Sequence, residues 1–289
     1  MKYVFIINPV SGKTNYEKIK ENIHKYLKNE EYIIHETKKP LDATKMASKY
    51  KNEEDTVVYA VGGDGTLNEV VNGIALGKCK LGIVPTGSGN DFYKTLKKYN
   101  KKEGKIDLGS INDRYFINIA SVGFDAEVCY EANLIKDKGH FKKIAYILGA
   151  IKKMFSFKCL NTDIKLDDDL FSSRITLMAI CNGRFYGGGF NIAPLASFDD
   201  DHFDVYYAKE TNFFSLLALL LKLLRGTHEK SKKVIKKIAD NILIKSKKEL
   251  IINVDGEIIK SKRADIKMIK DAIHIYNDKE LVDKIMNLQ

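Results

Sequence analysis

Over the first hundred residues, short β-rich apolar runs alternate with stretches whose apolar positions recur at helical spacing. The runs are Tyr3 to Asn8, Tyr32 to Glu36, Thr56 to Ala60 and Lys80 to Val84, and the helical patterns lie near Tyr16 to Lys28, near Asp42 to Lys51 and from about Leu67. Strand and helix in turn predict an α/β unit with a parallel sheet. Beyond about Lys105 the rhythm changes. Strand-like segments follow one another at Tyr115 to Ala120, Asn161 to Leu166, Ser173 to Cys181, His202 to Tyr207, Ile242 to Lys245, Glu249 to Val254, Glu257 to Lys260 and Ile273 to Tyr276. Helical patterns interrupt them near Gly139 to Phe155 and Phe213 to Gly226, and Lys279 to Leu288 closes the chain as a short amphipathic helix. Two domains are expected: an α/β domain over 1–106 with 278–289 returning to it, and a mostly β domain over 107–277.

Composition narrows the function classes. The four cysteines, Cys79, Cys129, Cys159 and Cys181, show neither C-x-x-C pairing nor metal-ligand spacing, which argues against a zinc site or a disulfide framework and for a reducing cytoplasm. The net charge of +10 favours anionic partners. Lysine is spread along the chain without an aromatic-basic module, so nucleic acid is not expected as a partner. The opening run Tyr3 to Ile7 is too short for a signal-peptide core, and the longest apolar stretch, Phe213 to Leu224, is too short to span a bilayer.

Chemistry concentrates in three loops at strand ends. Val61-Gly62-Gly63-Asp64-Gly65-Thr66-Leu67-Asn68-Glu69-Val70 follows one strand and precedes a helix. Its glycines let backbone N–H groups turn toward a polyphosphate, and the helix N-terminus adds partial positive charge. Alone, the same segment reads equally well as a strand-to-helix turn with Thr66 as N-cap. Pro85-Thr86-Gly87-Ser88-Gly89-Asn90-Asp91-Phe92 occupies the equivalent place after the next strand, and Asn8-Pro9-Val10-Ser11-Gly12-Lys13-Thr14 ends the first. Gly12-Lys13-Thr14 is not a Walker A motif, because Ile7, inside a strand, stands where that motif needs a glycine. In open α/β sheets, loops so placed form the ligand crevice.

Together these loops resemble the catalytic domain shared by soluble bacterial diacylglycerol kinases and sphingosine kinase-like lipid kinases, with its N-P-x-S-G opening, G-G-D-G-T-x-N-E loop and P-x-G-T-x-N-D-F loop. The resemblance continues through Tyr115-Phe116-Ile117-Asn118, Asn182 to Gly189, Ala193-Pro194-Leu195-Ala196 with Phe198-Asp199-Asp200, and Asn253-Val254-Asp255-Gly256-Glu257. It implies a nucleotide-binding domain of the NAD kinase and phosphofructokinase type, a sandwich-like C-terminal domain, and ATP and Mg²⁺ as the reagents. Asn8, Pro9, Val10, Thr37, Val61, Gly62, Gly63, Gly65, Thr66, Leu67 and Ser88 would line the ATP site, with Asn90 and Asp91 beside them. Ser88 stands where threonine is usual, which keeps the hydroxyl, and the segment from Phe92 to Asp107 is shorter than is common.

By spacing alone, Asp255-Gly256 is a two-residue hairpin turn. By resemblance, Glu257 is the proton acceptor from the lipid hydroxyl and Asp255 belongs to the Mg²⁺ and water network, with Asp64 and Asp91 as candidates to hold that ion. Resemblance also implies a second, structural Mg²⁺ on Asp200 and the backbone carbonyls of Ser197 and His202, with Asp201 replacing a common glycine. Phe213 to Leu224, running into Arg225, Lys230, Lys232, Lys233, Lys236 and Lys237, reads as a buried helix with a basic tail, or as a segment that touches anionic membrane.

The expected activity is a cytoplasmic, membrane-visiting transfer of the ATP γ-phosphate to a lipid hydroxyl, with diacylglycerol as acceptor and phosphatidic acid as product. Phosphatidylglycerol, a sphingoid base, a polyprenol, a soluble acceptor such as NAD, and a non-catalytic regulator are the alternatives. Oligomeric state is left open, a homodimer included.

Overall fold

The computed structural model describes residues 1–12, 14–135 and 153–287. The chain divides into two compact units, residues 1–108 with 269–289 and residues 109–268.

The first unit begins β1 (Lys2–Ile7), α1 (Tyr16–Tyr26), β2 (Glu31–Glu36), α2 (Asp42–Ser48), β3 (Thr56–Gly62), α3 (Asp64–Ile74), β4 (Lys80–Pro85) and α4 (Asp91–Leu96). Strands β4, β3, β1 and β2 lie side by side, all parallel. Such a sheet is covered on both faces, which is why β3 is buried along its whole length. Tyr3, Phe5, Ile7 and Tyr59 pack on one face with Ile19 and Ile23 of α1 and with Val282 and Ile285 of the closing helix. Asn15 starts α1 by accepting from Lys18 N at 3.1 Å.

The predicted helix from Leu67 begins three residues earlier, at Asp64. Thr66 is therefore inside the first turn and is not the N-cap; Gly63 holds that place, with no side-chain cap. The short segment after Phe92 still makes a helix, of six residues, before β5 (Glu103–Ile111).

The second unit is mostly antiparallel. It contains β6 (Arg114–Phe116), β7 (Ile119–Gly123), α5 (Phe124–Ile135), β8 (Leu160–Leu166), β9 (Asp169–Cys181), the short pair β10 (Phe185–Tyr186) and β11 (Phe190–Asn191), β12 (Phe203–Lys209), α6 (Phe213–Leu224), β13 (Val234–Ala239), β14 (Asn241–Val254) and β15 (Glu257–Tyr276). Strands β13, β12, β9, β7, β14 and β15 are hydrogen-bonded in that order. Two long strands change partners along their length: β9 pairs first with β8 and then with β7, and β14 does the same. A bulge between Lys245 and Leu250 accommodates the change in β14, so the two strands predicted there are one bent strand. Phe116, Val122, Ile164, Met178, Phe203, Ile252 and Ile266 meet in the enclosed core.

Two further expectations differ, and a third lies mostly outside the described residues. Glu257 to Lys260 and Ile273 to Tyr276 are the two ends of β15, whose last residues pair with β4 at Ile275 and Leu81 in the first unit. The basic residues after α6 do not prolong a helical tail. Lys236 and Lys237 lie on β13, where Lys236 pairs with the buried Asp204 at 2.6 Å. The helix predicted near Gly139 to Phe155 falls mainly on 136–152, outside the described residues. The chain ends with α7 (Lys279–Met286), capped by Asp278, whose Oδ1 accepts from Leu281 N at 3.0 Å. Among the described residues no helix is long and apolar enough to cross a membrane.

Candidate active site

In the first unit the three predicted loops stand at the carboxyl ends of β1, β3 and β4, neighbours in the sheet, and are tied to one another. Asn8 donates from Nδ2 to Thr66 Oγ1 at 3.0 Å, and its N–H reaches Val61 O at the same distance. Thr86 N and Gly87 N both donate to Gly62 O, at 2.9 and 3.2 Å. The close approach needs glycine: a Cβ on Gly87 would lie 2.4 Å from Gly63 Cα. Asp64 Oδ1 accepts from Asp91 N at 2.7 Å, joining the second loop to the third, and Thr37 N donates to Ile7 O at 2.9 Å, bringing the end of β2 alongside. Asn90, left-handed at φ 51°, folds the third loop by donating to Gly87 O at 2.8 Å.

The start of α3 has a backbone form that can receive an anion. The first-turn N–H groups of a helix have no helical acceptor, and Gly63, the N-cap of α3, has no side chain to cap them. Gly65 has open space at its Cβ position, Ser88 is exposed, and Pro9 and Val10 lie at the exposed lip, Val10 at 87% exposure. A Cβ on Gly89 would stand 2.7 Å from Asp64 Oδ2 and 3.8 Å from Asp91 Oδ2, so the missing side chain leaves a space between two carboxylates. Oxygen donors with room for water suit Mg²⁺.

In the second unit Asp255 and Gly256 form the turn between β14 and β15, with φ of 49° and 92°, the conformation a two-residue hairpin of this hand requires. The Asp255 carboxylate accepts three backbone N–H groups, from Ile117 at 2.8 Å, Asn118 at 3.0 Å and Ile119 at 2.9 Å. That bend between β6 and β7 is in turn fixed by Asn182, whose Nδ2 donates to Ile117 O at 2.8 Å and whose N–H donates to Asn118 O at 2.9 Å. The Asn182-Gly183 motif thus supports the turn at one remove. Glu257 is half-buried at the first position of β15 and is ion-paired with Arg114 of β6.

Ser197, Asp200 and His202 lie in the loop before β12, with His202 Nε2 3.4 Å from Asp200 Oδ2. Asp201 is left-handed at φ 70°, a conformation that glycine adopts without strain. Among the described residues no three acidic, histidine or cysteine side chains converge as a metal-binding group, so a cation here would rest on backbone oxygens and water besides Asp200.

Two features escaped the sequence. Arg114 adjoins a recognised motif, but its partner lies 143 positions away. The second is Asp125, at the start of α5 on the edge of an apolar cavity of about 100 Å³. Both its carboxylate oxygens are out of solvent although the residue as a whole is only half-buried, and neither has a partner in full hydrogen-bond geometry. Burial pushes this carboxyl up to about 6, against weaker opposition from the Ser121 hydroxyl and the N–H groups of Ala126 and Asp125 itself.

Comparison with known proteins places nearly the whole chain beside one family. Residues 2–119 match the diacylglycerol kinase catalytic domain, and residues 118–277 match the YegS C-terminal NAD kinase beta sandwich-like domain. Diacylglycerol kinases of Staphylococcus epidermidis and Staphylococcus aureus are 31% and 32% identical, each match covering 96% of this chain and 93% of the relative. A solved diacylglycerol kinase structure from Bacillus anthracis superposes with a TM-score of 0.70 at 19% identity, covering 97% of this chain and 98% of its own, and so shows the fold alone. The chain belongs to the diacylglycerol kinase family of ATP-dependent lipid kinases.

Proposed function

We propose that this protein transfers the γ-phosphate of ATP to the free hydroxyl of diacylglycerol, giving phosphatidic acid. The observation that carries the reading is the Asp255-Gly256 turn, which three backbone donors fix in place and which presents Glu257 directly after it. Glu257 accepts the hydroxyl proton as the oxygen attacks phosphorus, and Asp255 holds the turn and adds negative charge beside the base. The loops at Asn8 to Val10, Val61 to Leu67 and Ser88 to Asp91, with Thr37, bind the triphosphate through backbone N–H groups and the start of α3. Asp64 and Asp91 would hold Mg²⁺ or its waters, and the ion when bound neutralises phosphate charge. Asp200, with the carbonyls of Ser197 and His202, would hold the structural Mg²⁺.

The apolar cavity supports a lipid acceptor. Phe124, Val128, Leu177, Phe190, Leu216 and Leu219 line it, giving a hydrocarbon chain a dry wall under α6. On the outer side of α6, Phe214 is 77% exposed, with Lys222 and Arg225 close by in sequence, which suits brief contact with an anionic bilayer where such a substrate resides.

The test is transfer of labelled γ-phosphate from Mg-ATP to diacylglycerol, phosphatidylglycerol, a sphingoid base and a polyprenol in mixed micelles, with NAD as soluble acceptor and Asp64→Asn as inactive control. Label in diacylglycerol, lost in the control, is the expected result; label in another acceptor reassigns the substrate. Glu257→Gln is expected to lower kcat by about 10² to 10⁴-fold with KM for ATP nearly unchanged, and unaltered turnover would remove Glu257 as the base.

A further inference from the structure

The turn that presents Glu257 is held at both of its corner residues. Asp255 is fixed by the β6–β7 bend, and Gly256 is fixed from inside the unit by Asn253. Asn253 is fully buried, two residues before the turn, and faces away from the apolar side of β14 that Ile252 and Val254 supply to the core. Its Oδ1 accepts from Gly256 N at 2.9 Å and from Cys129 Sγ of α5 at 3.5 Å, and its Nδ2 donates to Ser121 Oγ of β7 at 3.2 Å. A two-residue turn offers no ladder acceptor to the N–H of its second residue, and Asn253 supplies one. A buried amide is costly where an apolar side chain would pack, unless its hydrogen bonds are used.

We propose that Asn253 is a positioning residue for Glu257: its side chain braces the Asp255-Gly256 turn against α5 and β7, and the brace sets where the Glu257 carboxylate stands. The inference rests on the reading of Glu257 as the base. Both turn residues are left-handed, a form that Asp adopts only at a cost, so a turn released at Gly256 has other two-residue geometries to relax into. Each of these moves the first residue of β15. Displacement of a catalytic group by about 1 Å can cost on the order of 10²-fold in rate.

The experiment is a double-mutant cycle in the full-length protein, with kcat, KM for ATP and the thermal midpoint measured for Asn253→Leu, Asn253→Asp, Glu257→Gln and the pair Asn253→Leu with Glu257→Gln. Asn253→Leu keeps the branching and heavy-atom count of the side chain, with bulkier methyl groups, and removes the acceptor; kcat should fall about 10- to 100-fold with KM for ATP within about twofold. Asn253→Asp keeps the acceptor and should recover most of that loss. Because Asn253 acts through Glu257, Asn253→Leu should cost nothing more once Glu257 is Gln. Losses that multiply in the pair, or a wild-type kcat with only a lowered midpoint, would overturn the brace. Full turnover in Glu257→Gln would instead remove the base reading and leave the brace no target. If Asn253→Leu does not fold, Ser121→Ala removes the support behind the amide with little change in volume; a kcat reduced about threefold or more is expected, and a wild-type kcat refutes the proposal.

Discussion

Asp255→Asn separates a turn held by its carboxylate from a carboxylate used in chemistry. In the native turn Oδ1 takes two N–H groups, from Asn118 and Ile119, and Oδ2 takes the third, from Ile117. An asparagine has one acceptor oxygen. If that oxygen keeps Asn118 and Ile119, the new NH₂ faces the Ile117 N–H, donor against donor. One hydrogen bond to a charged acceptor is lost, about 1.5–3 kcal/mol, and a buried donor is left unsatisfied, about 1–3 kcal/mol. Part of the second cost is relieved as the bend shifts, so a net loss of about 2–4 kcal/mol is expected. For a domain the size of the second unit this lowers the melting midpoint by roughly 4–16 °C. Thermal unfolding followed by circular dichroism, with ATP binding measured alongside, is the assay. The midpoint should fall while nucleotide affinity holds. A midpoint within about 1 °C of the wild type, with activity abolished, would refute the turn-holding account and return Asp255 to the metal and water network.

Other perturbations test separate parts of the structure. The Asp125 carboxyl, raised from an ordinary 3.8 to about 6, binds its proton more tightly when folded, so its contribution falls as pH rises from about 4 to 6 and stays unfavourable above. Asp125→Asn should therefore raise the unfolding free energy by about 1–3 kcal/mol at pH 7.5 and by much less at pH 4, and a pH-independent effect would contradict this. Arg114→Ala removes a half-exposed ion pair and should cost about 1 kcal/mol of stability or less, yet lower kcat several-fold by freeing Glu257; equal kcat would show that the pair does not orient the base. Flotation with vesicles should show tighter association with anionic than with neutral lipid, weakened by Phe214→Ser, and equal binding to both would remove the electrostatic contribution.

The glycine loops were legible because each is a contiguous string whose backbone demands are local, and the parallel α/β rhythm placed them at strand ends. The Asp255-Gly256 turn was legible for the same reason. What holds these motifs was not. Asp255 finds its donors at Ile117 to Ile119, and Glu257 finds Arg114, through strand pairing that no spacing in the sequence encodes. Strand β13 reads as part of a charged tail because its consecutive lysines break the apolar pattern; in the fold Lys236 pairs with Asp204 of the adjacent β12 and Lys237 with Asp169 of β9. Strand β14 reads as two because Ser246 to Glu249 are all polar and interrupt its alternation, whereas β15 does alternate in its middle, with Ala264, Ile266 and Met268 buried, but Ser261 to Arg263 and Lys270-Asp271 break the apolar run on either side.

The Asp-Gly pair at the heart of the hairpin also bears on the chemical ageing of the protein. In a loose chain, aspartate followed by glycine is the aspartyl linkage most open to attack by the next backbone nitrogen on the side-chain carboxyl, which loses water to close a succinimide that reopens largely as isoaspartate. Here both reacting groups are tied down: the carboxyl by three N–H donors, the Gly256 nitrogen by Asn253. Folding therefore shields the Asp255-Gly256 linkage, and isoaspartate at residue 255 should accumulate in chains that have unfolded, marking them by mass spectrometry as molecules that lost the turn before they lost the bond.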